Sequence, residues 1–551
     1  MTQDEDVKTD NYSDTKVGKS AISTIFPGYQ MGDNIPYIDA ASPHTHPDCL
    51  YTMATLFGIK AAPVTKCRVL SLAAFEGTNL IAMAASLPAS EFIGLTYSQR
   101  EFEDVNAKVE ALHLKNVEIK QLDIMNVSSD IGEFDYILAQ GIYSWVDAEK
   151  RKRILQLCRT LLRANGVVYV NYNSYPGWRM HNALRDMMLF HVRNEINNKK
   201  IVNKAREFTK VLANTAEQVD HLYGLIMQSQ LDMVNNWSDD YLLHDTLGAI
   251  NQPFYFYEFI EAAAREQLQF LSDAEFHGMV PNKFLDDAIN LLRDQGKDRI
   301  AKEQYMDFFR NRMFKQTLLC HDTVTLMTQV NFQDLKNLYY TAPLSPISSI
   351  LDIQSDKPKT FKTINNVSIS ASDPVMKALL LYLSSEYPVP KNFEDIQANL
   401  KKILGSDYLY IAKDGMLVPF EHAVMRNLLD GYGIGMLKVF AHPIQVTKEI
   451  SDTPKISELA QYESKHGLLI TNQLHEAVRI DVFTHHVLQH INGKNTIDDL
   501  IEILMNLVKT GKITFRKGDA AIDDLVQIKD ILQKRVKNLL RDISKLALLV
   551  P

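Results

Sequence analysis

The chain has 551 residues, of which 46% are hydrophobic and 23% charged, and a formal net charge of −8. That length exceeds what one hydrophobic core organises and implies two to four domains, while the negative balance excludes the broad basic field that a nucleic-acid partner would need. Cys49, Cys67, Cys158 and Cys320 lie far apart with no CxxC pair, so neither a disulfide framework nor a zinc knuckle is expected and a reducing cytoplasm is the expected setting.

Residues 1–44 lack hydrophobic periodicity and open on the polar, acidic MTQDEDVKTDNYSDTKVGKS, which has no signal-peptide core; a flexible arm is expected there. No later segment approaches the roughly 18 apolar residues of a membrane span, so no membrane insertion is expected. Pro47 and Asp48 after Thr45 read as a helix start, and Leu50, Met53, Ala54 and Phe57 repeat at helical spacing before Gly58. His44, His46, Asp48 and Cys49 are metal-ligand types, but they crowd that helix start without a matching pair, and no metal site is expected.

Five apolar runs follow: RVLSL, EFIGL, VEIKQLD, FDYILAQ and VVYVNYN, with helical segments at 79–86, 99–112 and 149–162. This alternation predicts a parallel α/β sheet with its ligand crevice beyond the carboxyl ends of the strands. From 182 to 267 the pattern becomes long, charged and helical; 270–350 is mixed, and TAPLSPISS at 341–349 is a candidate boundary. Helical blocks at 373–404 and 420–440 precede a polar connector, and 466–551 reads as small helices with short strands. The expected domains are an arm at 1–44, a core at 45–181, a mostly helical middle domain at 182–345, a helical domain at 346–465 and a terminal α+β module at 466–551.

The first strand runs into VLSLAAFEGTN at 69–79. An adenosyl cofactor needs close backbone approach at this turn, yet only Gly77 meets that need plainly. Ala73 and Ala74 each add one methyl group, and Phe75 must turn away or fill the pocket. The second strand ends in Thr96, where a carboxylate would accept from both ribose hydroxyls; Glu76, Glu91 and Asp123 are the acids available to substitute, and Thr96→Asp is expected to tighten binding if the side chain faces the ribose. Asp123 is either an acceptor for an adenine amino group or an ordinary turn residue. Past the fourth and fifth strands come QGIYSWV and NYNSYPGW. Tyr143, Trp145, Tyr175 and Trp178, with Asn173 as a polar handle, suit a flat base or an alkylammonium group; the alternative is packing at a domain seam. No GxSxG, HExxH or Walker loop is present.

HTHPDCLYTMATLFG at 44–58, the loop VLSLAAFEGTN, AQGIYSWV and NYNSYPGW together resemble the class I S-adenosylmethionine methyltransferases that carry a methyltransferase regulatory domain, and YLLHDTLGAINQPFYFYEF with QYMDFFRNRMFKQTLLCH resembles that regulatory domain. Within the group the chain is most similar to the rickettsial protein-lysine methyltransferases that modify outer membrane protein B. The resemblance implies a Rossmann-like sheet, a helical regulatory domain and a winged-helix-like C-terminal module. It also implies S-adenosylmethionine as cofactor and, as substrate, a lysine-containing surface protein. On the family loop ELGCGxGGN, Ser71 stands for an acid, Ala73, Phe75 and Thr78 for glycines, and Gln140 for a common His; Glu76, Gly77, Asn79, Asp123, Gly141, Tyr143, Ser144 and Trp145 keep family-like positions. Ser71, Ala73, Glu76, Gly77, Asn79, Thr96, Asp123, Gln140 and Gly141 are thus the candidate cofactor contacts, and Tyr143, Asn173, Tyr175, Trp145 and Trp178 the candidate acceptor site. Two functions remain open: an active lysine methyltransferase, or a degraded one acting as a binding or regulatory subunit. Oligomeric state is also open, a homodimer included. Loss of 466–551 is expected to weaken methylation of a protein far more than cofactor binding.

Overall fold

The structure, a computed structural model, describes residues 40–551 apart from 282–283, 296–297, 328–329, 331, 348–352, 364–366, 412–414, 518–519 and 523. The arm expected at 1–44 therefore lies outside the described residues as far as residue 39. Two compact units are distinct, a helical one over Trp178–Gln252 and a larger one formed by Ile38–Gly177 with Pro253–Pro551.

In the larger unit, strands β1 (Arg68–Ser71), β2 (Glu91–Thr96), β3 (Val117–Gln121), β4 (Phe134–Ala139) and β5 (Leu162–Asn173) are joined by β6 (Leu268–Asp273) and β7 (Phe314–His321) in one sheet of order β3-β2-β1-β4-β5-β7-β6. Neighbours run parallel from β3 to β5, and β7 is antiparallel to both β5 and β6. Strands covered on both faces need apolar side chains at successive positions, and Val69, Leu70, Tyr136, Ile137, Val168 and Val170 are each fully buried. Between the strands lie α1 (Pro47–Leu56, ahead of β1), α2 (Thr78–Ser86), α3 (Gln99–Ala111) and α4 (Ala148–Leu161). Short polar caps start three of them: the His46 ring accepts from the Asp48 N–H, Ser98 from Glu101 and Asp147 from Lys150. Because β1 connects outward to β2 while the chain returns to β4 on its other side, the crevice opens where β1, β2 and β4 end.

The last two strands fall where the sequence pattern is mixed. β7 reads FKQTLLCH, and its polar half is buried rather than facing water. Lys315 has no solvent exposure; its Nζ lies 2.6 Å from Glu303 Oε1, 2.9 Å from Asp307 Oδ1 and 3.2 Å from Asp273 Oδ2. Burial alone would depress this ammonium, but Glu303, Asp273 and Asp307 outweigh it and hold Lys315 above its ordinary range. The cluster ties the start of β7 to the end of β6 and to the helix Arg299–Arg310.

The helical unit packs Trp178–Val192, Asn198–Val219 and His221–Asn236 around Leu184, Met188, Val202, Ala205 and Val234. At its centre His181 lies between the Trp178 and Trp237 rings at 4.5 and 4.8 Å, within 3.2 Å of Gln230 Oε1 and 3.3 Å of Thr246 Oγ1. Burial pulls this imidazole down to about 4, against the Gln230 hydrogen bond.

Further along, helices Pro374–Glu386, Phe393–Leu404 and Phe420–Gly433 follow, and Tyr339–Thr341, which runs up to the start of the candidate boundary at 341–349, pairs with Lys438–Phe440. The terminal module combines helices Glu458–His466, Val482–Leu488 and Ile497–Lys509 with a hairpin Leu469–Thr471/Ala477–Arg479 and a final helix Leu525–Lys545. That last helix has 21 residues and is not small, because Ile528, Leu532, Val536, Leu540 and Ile543 give it one continuous buried stripe. No helix among the described residues is long and apolar enough to cross a membrane.

Two outcomes are expected. Lys315→Met leaves the three buried carboxylates with only the more distant Arg312, 3.8 Å from Asp273 and 3.6 Å from Asp307, and should destabilise the larger unit by about 3–5 kcal/mol, read as a lower denaturation midpoint. For His181 the folded-state pKa lies below the unfolded value, so its neutral ring favours the fold above about 6.5 and that contribution is lost as pH falls toward about 4. Hydrogen exchange across 178–252, corrected for its intrinsic pH dependence, should accelerate between pH 6.5 and 4.5; an unchanged rate would show an ordinary histidine.

Candidate functional site

The loop Leu72–Gly77 crosses from β1 to α2 at the carboxyl edge of the sheet. Its backbone is pinned on both sides: the Leu72 N–H donates to Leu138 O of β4 and the Ala74 N–H to Leu95 O of β2. Lys108 Nζ donates to Glu76 O at 2.8 Å, and the Ser71 hydroxyl to Ala73 O at 3.0 Å. Gly77 has φ 71°, and a Cβ there would meet Val105 Cγ1 at 2.5 Å, so α3 and the backbone both demand glycine. Phe75 also holds a left-handed backbone, φ 47°, at a position where the resembled loop has a glycine. The loop thus keeps a glycine-like path with a bulky, partly exposed side chain. Glu76, more than half withdrawn from solvent, is raised by burial against the pull of Lys108 and Arg100.

At the end of β2, Thr96 is buried and its hydroxyl donates to Glu101 Oε2 at 2.5 Å. Glu101 is in the first turn of α3, where the sequence reading placed no candidate. A carboxylate therefore does stand at this strand end, delivered by the helix. Glu91 belongs to the opposite edge: it opens β2 and pairs with Arg68 at 2.9 Å, and so cannot serve as the substitute acid. The pairing also reverses the sign expected for Thr96→Asp, since a carboxylate there would face Glu101. Asp123 follows β3, where its Oδ1 accepts from the Met125 N–H at 2.8 Å and its Oδ2 lies 3.8 Å from Lys150 Nζ; the half-exposed carboxylate keeps lone pairs for a further donor.

Past β4, Gly141 takes φ 66° and its N–H donates to Asn171 Oδ1 at 2.7 Å. Gln140 Oε1 accepts from Asn79 Nδ2 at 2.7 Å. Asn79 also donates to Thr45 Oγ1 at 2.9 Å and accepts from the Ser42 N–H and from His475 Nε2, so the protein occupies both its donors and both its acceptor directions. Its place is behind the loop, as an anchor.

The aromatic residues divide. Tyr143 is buried against Phe254 and Phe259 at 5.4 and 5.1 Å, and burial pushes its phenol up to about 12 against the pull of Arg151. Asn173, the last residue of β5, is buried, and its N–H donates to Ser144 Oγ at 2.9 Å. Tyr175 stands 5.3 Å from Tyr255, which stacks on the exposed Tyr257 at 5.7 Å and meets Phe308 edge-on at 6.0 Å. Trp145 is 8% exposed, and its indole Nε1 has no acceptor among the described residues. Trp178 belongs to the helical unit, packed on His181. Tyr255 and Phe254 escaped the sequence reading as site residues, although PFYFY was visible; Phe254 reaches the edge because it bridges Ser174 and exchanges backbone hydrogen bonds with Asn173 and Tyr175.

These residues fit an adenosyl cofactor in kind. Ala73, Gly77 and Gly141 leave little bulk at the strand ends, Glu101 and Asp123 are carboxylates able to accept from a hydroxyl or an amino group, and the Trp145 indole is a donor without a partner among the described residues. His44, His46, Asp48 and Cys49 lie elsewhere, beside a cavity of about 910 Å³. Asp48 there accepts from the Ala441 N–H and lies between His46 and His442, whose rings hold its carboxyl down despite its burial. Among the described residues, no group of three or more His, Cys, Asp or Glu is arranged to hold a metal ion.

Comparison with known proteins agrees with this geometry. Residues 69–166 match a methyltransferase domain, 238–321 a predicted methyltransferase regulatory domain, and 452–548 the PKMT C-terminal winged helix domain. An uncharacterized protein of Rickettsia prowazekii is 29% identical over 94% of this chain and 93% of its own length. Another from that organism is 31% identical over 43% of this chain and 96% of its own. PKMT2 from Rickettsia typhi, solved in complex with AdoHcy, superposes with a TM-score of 0.83 at 28% identity, covering 94% of this chain and 100% of that one. The sheet order, the pinned loop after β1 and these matches together show that the chain belongs to the class I S-adenosylmethionine methyltransferases and resembles the rickettsial PKMTs.

Proposed function

We propose that the protein transfers methyl groups from S-adenosylmethionine to lysine side chains of a protein substrate, in the cytoplasm, with a surface protein as the acceptor class. The observation that carries this reading is the likeness to PKMT2 along nearly the whole chain, the PKMT-type winged helix included. When bound, the cofactor supplies a sulfonium methyl group. On this reading Gly77, Ala73 and Gly141 leave room for its backbone-side contacts, Glu101 accepts from the ribose and Asp123 from the adenine amino group. The acceptor lysine must arrive neutral, although its ordinary pKa is about 10.4, so the chain has to withdraw it from water and fix its lone pair. Tyr175, Tyr255 and Tyr257 offer ring faces for an alkylammonium group, and Tyr143, protonated at neutral pH, is a donor held by the core.

Phe75 in a glycine's conformation favours a second reading, in which cofactor binding survives and turnover does not. Two measurements separate the two. Calorimetric titration with S-adenosylhomocysteine should give saturable heat at micromolar to millimolar ligand, and its absence would sink both readings. Incubation with S-adenosylmethionine and Lys-rich protein substrates should add 14-Da increments on lysine by mass spectrometry; binding without increments selects the subunit reading. Glu101→Gln should weaken S-adenosylhomocysteine by about ten- to a hundredfold, the range of a charged hydrogen bond of about 1.5–3 kcal/mol. Thr96→Asp should also weaken it. Tighter binding in Thr96→Asp would mean that the hydroxyl is turned from Glu101 toward the ligand.

A further inference from the structure

The terminal module sends one side chain into the methyltransferase core. In the hairpin Leu469–Thr471/Ala477–Arg479, the connecting residues are held stiffly: Asn472 Oδ1 accepts from the Leu474 and Glu476 N–H groups, and its Nδ2 donates to Leu546 O and Glu476 Oε2. The Gln473 N–H donates to Ala547 O, and Glu476 pairs with Lys438. On this rigid turn His475 takes a left-handed backbone, φ 58°, and its ring, 6% exposed, packs 4.7 Å from the His46 ring.

Its Nε2 lies 2.8 Å from Asn79 Oδ1. Since Asn79 Nδ2 donates to Thr45 and Gln140, Oδ1 is the acceptor, and His475 must carry its proton on Nε2. Burial holds the imidazole well below its ordinary range, against the pull of Asp48, so the ring stays neutral with that single N–H in place. Asn79 is the second residue of α2, two positions after Gly77, and Gln140 is the first residue past β4. One amide thus joins both strand ends of the crevice to the terminal module, across 396 residues of chain.

We infer that His475 is a positioning residue for the cofactor site: the terminal module donates a hydrogen bond that holds Asn79, and through it the loop after β1 and Gln140, in the binding geometry. This rests on the assignment of that crevice to the cofactor. Under it, the gap expected from the sequence, in which loss of 466–551 weakens methylation of a protein far more than cofactor binding, should narrow, because the module contributes to that site.

The test uses the full chain. In His475→Ala, affinity for S-adenosylhomocysteine by calorimetry should fall about three- to tenfold, the effect of one neutral buried hydrogen bond. His475→Gln, whose amide can still donate, should recover most of it, and the Michaelis constant for a protein acceptor should not move in either variant. Equal affinity in wild type and His475→Ala, or equal loss in both variants, overturns the inference. Failure of the wild type to bind refutes the cofactor assignment itself. A readout without substitution stands beside these if His475→Ala does not fold. In protein with ¹⁵N-labelled histidine, the slowly exchanging Nε2–H resonance of His475, assigned by its absence in His475→Gln, should shift when S-adenosylhomocysteine is added. An unshifted resonance at saturation overturns the inference.

Discussion

A lysine ammonium sealed from solvent constrains the rest of the larger unit. Lys315 cannot be buried without its three carboxylates, and they come from two elements: Asp273 at the end of β6, and Glu303 and Asp307 on the helix that precedes β7. Desolvating such a set is unfavourable unless every partner is in place, so the cluster allows one arrangement and penalises the others steeply. That arrangement seats β7 between β5 and β6 with Lys315 opposite Tyr172, and so sets the end of β5 from which Asn173 and Tyr175 continue. The ion cluster thereby places the aromatic edge.

At the crevice, backbone geometry persists where side chains have changed. The Leu72–Gly77 loop hangs from β4 through Leu138 and from β2 through Leu95, and the sheet imposes those attachments whatever side chains the loop carries. Phe75 can therefore occupy a position whose backbone favours glycine, at the expense of local strain. At the end of β2, where the resembled family carries an acid, Thr96 supplies a hydroxyl and Glu101, in the first turn of α3, a carboxylate in contact with it.

Strands β1 to β5 were legible because buried parallel strands must be apolar at successive positions, and RVLSL, FDYILAQ and VVYVNYN satisfy that without reference to partners. β6 and β7 were not, since FKQTLLCH mixes Lys315, Gln316 and Thr317 with leucines, and its polar residues become acceptable inside only once Glu303, Asp307 and Glu275 are in position. Glu101 was overlooked for a related reason. A carboxylate in the first turn of an amphipathic helix has an ordinary local explanation, the favourable field at a helix N-terminus, and nothing in the sequence says that it also reaches Thr96. Tyr255 and Tyr257 were visible as an aromatic run, but their approach to Tyr175 depends on the backbone bridge between Ser174 and Phe254.

Asn79 is expected at the cofactor through the family resemblance, and its hydrogen bonds within the protein bear on that expectation. The family resemblance alone makes this asparagine, just after the loop, a cofactor contact. An amide has two donor hydrogens and two acceptor directions, and here Thr45, Gln140, Ser42 and His475 take all of them. A group so fully engaged gains nothing by turning to a ligand, because each new bond would leave a buried partner unpaired at about 1–3 kcal/mol. Its contribution to the crevice is therefore rigidity, and the rigidity is shared by the elements that its partners occupy: the turn before α1, the end of β4 and the terminal hairpin. The methyltransferase sheet and the winged-helix module are separate in sequence and in family assignment, yet at this amide they form one mechanical part.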